Sequence, residues 1–314
     1  FMAANGFMEM MSNSLTKSDY YAQLKTYPQE NCVMLVNPLS SDLNCMRQTL
    51  LLNGLEAVAY NINRQNNDLK LFEYGNVYRF NPNFVAPEFD ASNPEEALAH
   101  RGDALKAYSE EPKFSIFITG NGYQGWRNRT NGGNFFTLKG YLELLLSKFG
   151  INVANLEYEN APADLFAEGL SYKMHGGKEI AVMGTIAKAR LKQFGIKQPV
   201  FAAEISWNVL LKALKKNKVQ YSELPKFPEV KRDLALLLDE SVSFADLRKT
   251  ALATEKKLLK SVSLFDVYKG DKIPEGKKQY AVSFVLQDLE KTLTDKAVEA
   301  IMAKLLKTFE DKFG

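Results

Sequence analysis

The chain has 314 residues, 46% of them hydrophobic and 25% charged, with a formal net charge of +3. At about 150 residues per domain this is a two-domain length, and the composition excludes wholesale disorder. No apolar run approaches the roughly 18 residues that a membrane span needs, and so small a charge neither marks nor excludes a nucleic-acid binder. Cys32 and Cys45 are too far apart for a CxxC pair and read as two reduced intracellular thiols. With only His100 and His175 beside them, no structural zinc site is expected, and histidine-centred catalysis has little support.

The opening residues FMAANG lack the basic region and cleavage site of a signal peptide and read as the end of a helix. The chain is therefore expected to be a piece of a longer protein. Residues 7–15 can form a strand, 18–24 a short helix, and 32–36 a compact strand closed by Asn37-Pro38. Leu50, Leu51, Val58 and Ile62, spaced so that they fall on one helical face, predict a long helix over residues 46–62. Strands are expected at 71–80 and 113–119, a loop at 81–94, and an amphipathic helix at 136–149 stopped by Gly150. Residues 182–186 read as a strand paired across the turn at 175–178, and 206–216 as a helix with a basic end. This irregular alternation favours a mixed or antiparallel sheet. The polar stretch 215–218 predicts a boundary, giving domains 1–217 and 218–314. The second domain reads strand 234–238, helix 244–259, strands 262–268 and 280–286, and helix 295–313. That order is one strand short of the ferredoxin-like βαββαβ module, so the expected fold class is α+β.

Among the motifs, Gly120-x-Gly122-x-x-Gly125 follows a strand as a dinucleotide fingerprint would, which makes a nucleotide-binding oxidoreductase the alternative reading. The fingerprint must open a helix, and residues 126–133 are a poor one, so a glycine-rich loop is favoured. Gly176-Gly177-Lys178 reads as a hairpin turn, and the Asn128-Arg129-Thr130 sequon as chance. Residues 218–314 hold 18 basic and 16 acidic residues, so any RNA contact there must be local, made by stacking and a few hydrogen bonds. Phe227, Phe265 and Tyr268 are available for stacking, although Phe265 is expected in the core.

Several segments resemble one family, in its order and over nearly the whole chain. They are Asn37-Pro38-Leu39-Ser40 with Met46-Arg47-Gln48-Thr49-Leu50-Leu51, then Leu71-Phe72-Glu73-Tyr74-Gly75, then Trp126 with Phe135-Phe136-Thr137-Leu138-Lys139-Gly140. Farther on come Pro225-Lys226-Phe227-Pro228 with Lys231-Arg232-Asp233-Leu234-Ala235, then Leu264-Phe265-Asp266-Val267-Tyr268-Lys269-Gly270. Ile273-Pro274-Glu275-Gly276-Lys277-Lys278 and Lys291-Thr292-Leu293-Thr294-Asp295 complete the set. The pattern resembles the bacterial-type phenylalanyl-tRNA synthetase β-subunit family. The resemblance implies a class II synthetase-like antiparallel sheet with helices, followed by a ferredoxin-fold anticodon-binding domain with its last strand truncated. It also implies a cytoplasmic α2β2 heterotetramer with the α subunit, binding of tRNA(Phe), and no membrane contact.

By that resemblance the assembled ligase uses ATP and Mg2+, while this fragment is expected to hold no cofactor and no catalytic residue. Neither of the two arginines with which class II enzymes bind ATP has a convincing counterpart here. Residues 37–62, with an apolar stripe on the predicted helix, are implied as α-subunit interface. The tRNA-binding residues expected on one sheet face are Arg232, Ala235, Asp266, Tyr268, Lys269 and Gln279. Alternate strand residues share a face, so Asp266 can accept from a guanine edge while Tyr268 stacks and Lys269 meets phosphate. Departures from the family pattern are Asn134 where Asp is frequent, Ala167-Glu168-Gly169-Leu170-Ser171-Tyr172 where His-Pro-Gly-Arg-Ser-Ala is frequent, and Gln279 where Ser is common.

Overall fold

The computed structural model describes the chain apart from residues 86, 89–92, 94, 96–99, 101, 123–124, 128–131, 216–220, 222 and 271–272. The chain divides into two compact units, Phe1–Lys218 and Val219–Gly314. The sequon at 128–130 and most of the expected boundary stretch, 216–218, lie outside the described residues.

The strands of the first unit are β1 (Met8–Glu9), β2 (Leu15–Thr16), β3 (Val33–Met34), β4 (Cys45–Met46), β5 (Leu69–Phe80), β6 (Tyr108–Thr119), β7 (Glu157–Asn160), β8 (Phe166–Lys173), β9 (Glu179–Ile186) and β10 (Val200–Ser206). Its helices are α1 (Leu50–Ile62), α2 (Phe135–Lys148), α3 (Lys188–Gln193) and α4 (Trp207–Leu214). Seven strands form one sheet in the order β1-β5-β6-β10-β9-β8-β7, antiparallel except for β1 on β5, and β2-β4-β3 form a small second sheet. Both faces of the large sheet are covered. Leu51, Leu55 and Val58 of α1 share a core with Phe117, Val182 and Ala202, while Leu138, Leu142 and Leu146 of α2 share another with Ile116, Met183 and Ala203. That is why residues 114–119 are buried without a break: a strand packed on both sides loses the period-2 signature.

Helix α1 is shorter than its apolar spacing predicts. Thr49 Oγ1 accepts from Leu51 N as an N-cap, and Cys45–Met46 are drawn into the small sheet instead. The leucines and Val58 of α1 are buried within the unit, and of its large apolar side chains only Tyr60 is exposed, so the helix carries no unpartnered stripe; Met34, Val36 and Leu39, earlier in the chain, are exposed as well. Strand β10 carries no sequence expectation, yet it sits in the middle of the sheet. Its run is broken by Glu204, a buried carboxylate that accepts from Thr49 Oγ1 at 2.7 Å and from Leu50 N at 2.8 Å. A helix N-terminus offers unpaired amides and positive potential, so it satisfies a buried anion there.

The second unit runs β11 (Val230–Asp239), α5 (Phe244–Thr254), β12 (Leu259–Tyr268), β13 (Lys277–Leu286) and α6 (Asp295–Phe313). Its sheet has the antiparallel order β11-β13-β12. Helix α5 stops before its expected end because Glu255 folds back to accept from Lys257 N and Leu258 N, which releases Leu259 into β12. Leu236, Leu238, Val282, Phe284 and Leu286 pack against Leu247, Ala251, Val298, Leu305 and Phe309. Both helices thus cover the same sheet face. The other face carries Lys231, Asp233, Ala235 and Leu237 of β11, all exposed. This is an α+β fold throughout, and no described helix is long and apolar enough to cross a membrane.

Candidate nucleic-acid interface

The helix-free face of the second unit is built from cross-strand rows. Ala235 stands opposite Ala281 and Ala281 opposite Asp266, and the next row is Leu237, Gln279 and Tyr268. Directly opposed residues of antiparallel strands share a face. Asp266, Tyr268, Gln279 and Ala281 line a cavity of about 350 Å³. Ala281, with Ala235 beside it in the row, keeps the sheet low, while the carboxylate, phenol and amide stand around it.

The orientation of Asp266 depends on an irregularity. The register of β12 shifts between Leu264 and Asp266, leaving Phe265 without an opposed residue. Counting alternately from Val262 and Leu264, which face the helices, would send Asp266 into the core. The extra residue reverses the parity and turns Asp266 and Tyr268 outward. Asp266 Oδ1 accepts from Val267 N at 2.9 Å, and its other oxygen has no donor among the described residues. The Tyr268 phenol lies over Gly270, where an added Cβ would come within 2.7 Å of the hydroxyl.

Ala235, Asp266, Tyr268 and Gln279 are therefore brought together on one face. Lys269 lies outside the cavity lining, and its Nζ pairs with Glu240 at 2.9 Å. Arg232 is not on this face. It stands opposite Phe284, which belongs to the helix-side core, and its Nη2 reaches Asp295 Oδ1 at 3.3 Å at the start of α6. The physical reason is parity: Arg232 and Ala235 are three residues apart on a regular strand, so they point to opposite sides. Phe265 also departs from expectation. As the bulged residue it is 60% exposed rather than packed in the core. Ala281 completes the cavity, and its type carries no chemical signal that a sequence reading could use.

In the first unit the Gly120 loop is already filled. Asp68 Oδ1 accepts from Asn121 N at 2.7 Å and from Gly122 N at 3.2 Å, so a protein carboxylate takes the amides that a phosphate would need. Gly120 has φ +98°, and a Cβ there would collide with Asp68 and the Asn67 carbonyl. The next helix, α2, starts only at Phe135, capped by Asn134 Oδ1 accepting from Thr137 N at 2.8 Å. No described helix opens at Gly125 to hold a pyrophosphate.

The model of the phenylalanyl tRNA synthetase beta chain CLM domain matches residues 1–207, and that of the ferredoxin-fold anticodon binding domain matches residues 225–314. The chain belongs to the phenylalanyl-tRNA synthetase beta chain family. The phenylalanine–tRNA ligase beta subunit of Bacteroides fragilis is 46% identical over 310 residues, covering 98% of this chain and 36% of that protein. The Bacteroides thetaiotaomicron subunit is 47% identical with the same coverage. The Geobacillus kaustophilus subunit is 32% identical over 316 residues, covering 100% of this chain and 36% of that one. This member of the beta chain family thus spans about a third of the length of the curated relatives it matches.

Proposed function

We propose that this chain serves as part of the β subunit of phenylalanine–tRNA ligase, with its second unit binding the anticodon of tRNA(Phe) on the helix-free sheet face. The observation that carries the reading is the cavity lined by Asp266, Tyr268, Gln279 and Ala281, within a unit that matches an anticodon-binding family. Asp266 accepts from the donor edge of a base, Gln279 both donates and accepts, and Tyr268 stacks or supports the ring. Lys269, held at the rim by Glu240, meets phosphate by exchanging that partner. The first unit acts as a noncatalytic scaffold that docks on the α subunit in an α2β2 assembly. Residues 37–62 contribute to that contact, with Leu39 and Tyr60 exposed for it. In this reading the assembled cytoplasmic enzyme uses ATP and Mg2+ at the α subunit, and the present chain contributes no group to that chemistry.

The test is made on the full-length β subunit assembled with α. Anticodon-substituted tRNA(Phe) is charged poorly by the parent enzyme, and a variant with Asp266→Ala and Gln279→Ala should lose most of that discrimination. Unchanged discrimination with intact assembly would refute the anticodon reading.

A further inference from the structure

Beside the cavity, the same sheet face holds a cluster that the cavity residues leave unexplained. Lys231 lies on β11 and Phe265 on β12, with β13 between them. Nevertheless Lys231 Nζ sits 6.0 Å from the Phe265 ring centroid, so the two side chains meet across the central strand. The outward residue of β13 beneath that meeting point is Ser283, opposed by Asp233 on one side and Ser263 on the other. Ser283 is only 2% exposed, although both helices of the unit cover the opposite face of the sheet. Its Oγ has no hydrogen-bond partner. Buried hydroxyls are nearly always paired, so an unpaired one on the helix-free face requires an explanation.

The ring itself is anomalous as packing. Phe265 is 60% exposed, it is the extra residue of a bulge, and bulges commonly re-aim a side chain toward a ligand. Lys231 makes no ion pair among the described residues. An exposed aromatic face with an uncommitted cation at its edge is the arrangement that holds one unpaired nucleotide, with the base on the ring and its phosphate at the cation. Ser283 lies two residues along β13 from Ala281, a separation of about 7 Å at the usual strand rise.

We propose that Phe265, Lys231 and Ser283 form a second nucleotide subsite, which takes the unpaired ribonucleotide adjacent to the one in the Asp266 cavity. The base stacks on Phe265, Lys231 neutralises its phosphate, and the Ser283 hydroxyl, unpaired within the protein, pairs with the base edge. This inference rests on the anticodon reading above and extends it from one recognised base to two neighbouring ones.

The experiment uses the full-length β subunit assembled with α, and measures tRNA(Phe) affinity at several salt concentrations. Phe265→Ala should weaken binding about 5- to 100-fold, the range for loss of one stacked base, while Phe265→Trp retains it. Lys231→Met should lower the slope of affinity against salt by about one phosphate contact. Ser283→Ala provides the opposed readout: removing an unpartnered buried hydroxyl leaves thermal stability equal or higher, while tRNA binding falls about 2- to 10-fold. If Phe265→Ala and Ser283→Ala bind as the parent does while Asp266→Ala binds weakly, the subsite is refuted and the anticodon reading stands. If Asp266→Ala also binds as the parent does, both are refuted.

Discussion

Arg47 and Glu73 form an ion pair sealed from water: Nη1 donates to Oε1 at 2.8 Å, with the two side chains 3% and 1% exposed. Further hydrogen bonds hold both groups. Ser12 donates from its backbone N and its hydroxyl to Glu73 at 3.1 and 2.9 Å, and Arg47 Nε donates to the Asn76 carbonyl at 2.9 Å. The pair ties the segment before α1 to strand β5. Removing either partner leaves the other charge buried and uncompensated, so Arg47→Met or Glu73→Gln should each cost about 3–5 kcal/mol. Urea unfolding followed by tryptophan fluorescence checks this. The double replacement by apolar residues should cost clearly less than the two single changes added together.

Asp164 supplies a pH-dependent clamp. Its carboxylate accepts from Lys25 N, Thr26 N and Thr26 Oγ1 at 2.7, 2.9 and 2.7 Å. Partial burial by itself raises its pKa, but these hydrogen bonds outweigh burial and hold it below the usual Asp value. A carboxyl that ionises more easily folded than unfolded adds stability above the unfolded value of about 3.9 and loses it as pH falls through the folded value. Asp164→Ala should therefore lower stability at pH 7 and flatten the acid limb below about pH 4, where the parent chain loses this contribution. Thermal melts at neutral pH and at about pH 3 provide the comparison.

Asp266 stands on the helix-free face, and its second oxygen has no donor among the described residues. In the assembled enzyme, Asp266→Ala should raise the KM for tRNA(Phe) about 10-fold or more, the effect of losing a hydrogen bond to a charged group. ATP–pyrophosphate exchange with phenylalanine should stay nearly unchanged, because that half-reaction does not need tRNA. Loss of both activities together would point to folding or assembly instead.

Arg232 provides the control. It lies on the helix side of β11 and pairs with Asp295 across 3.3 Å in a partly exposed setting. Such pairs contribute about 0–1 kcal/mol, so Arg232→Ala should shift stability slightly and leave the KM for tRNA within about twofold of the parent.

Gly270 lets the Tyr268 phenol rest against the backbone. Gly270→Ala places a methyl within 2.7 Å of the phenol oxygen in the present arrangement. The ring is a flexible side chain and can swing away, so the fold should survive while the cavity changes shape. The expected outcome is an unchanged melting temperature, within a degree or two, with weaker tRNA binding. A change in stability alone would contradict it.

Much of the architecture was legible from local signals. Helix α6 runs Asp295–Phe313, the bounds expected for it, and Thr294 Oγ1 caps it by accepting from Ala297 N. The hairpin across residues 175–178 joins β8 to β9 through glycines at φ +100° and +80°, which the Gly176-Gly177 pair announces. These are properties of short stretches, in which caps, periodicity and turn residues act on their own neighbours. The family resemblance was likewise carried by linear motifs, and the two family models span most of the chain.

Tertiary structure decided what depended on pairing partners. Strand β10 was unreadable because Glu204 breaks its apolar run, and the N-terminus of α1, some 150 residues earlier in the chain, together with the Tyr27 hydroxyl, makes that carboxylate tolerable. The side to which Asp266, Tyr268 and Phe265 point was set by a bulge in the β12–β13 register, which no composition or spacing specifies. The exclusion of Arg232 from that face follows from the same ladder, read on β11 with no bulge. A strand's alternation is visible in sequence. Which face each half of the alternation occupies, and where one extra residue reverses it, is determined only when a second strand fixes the register.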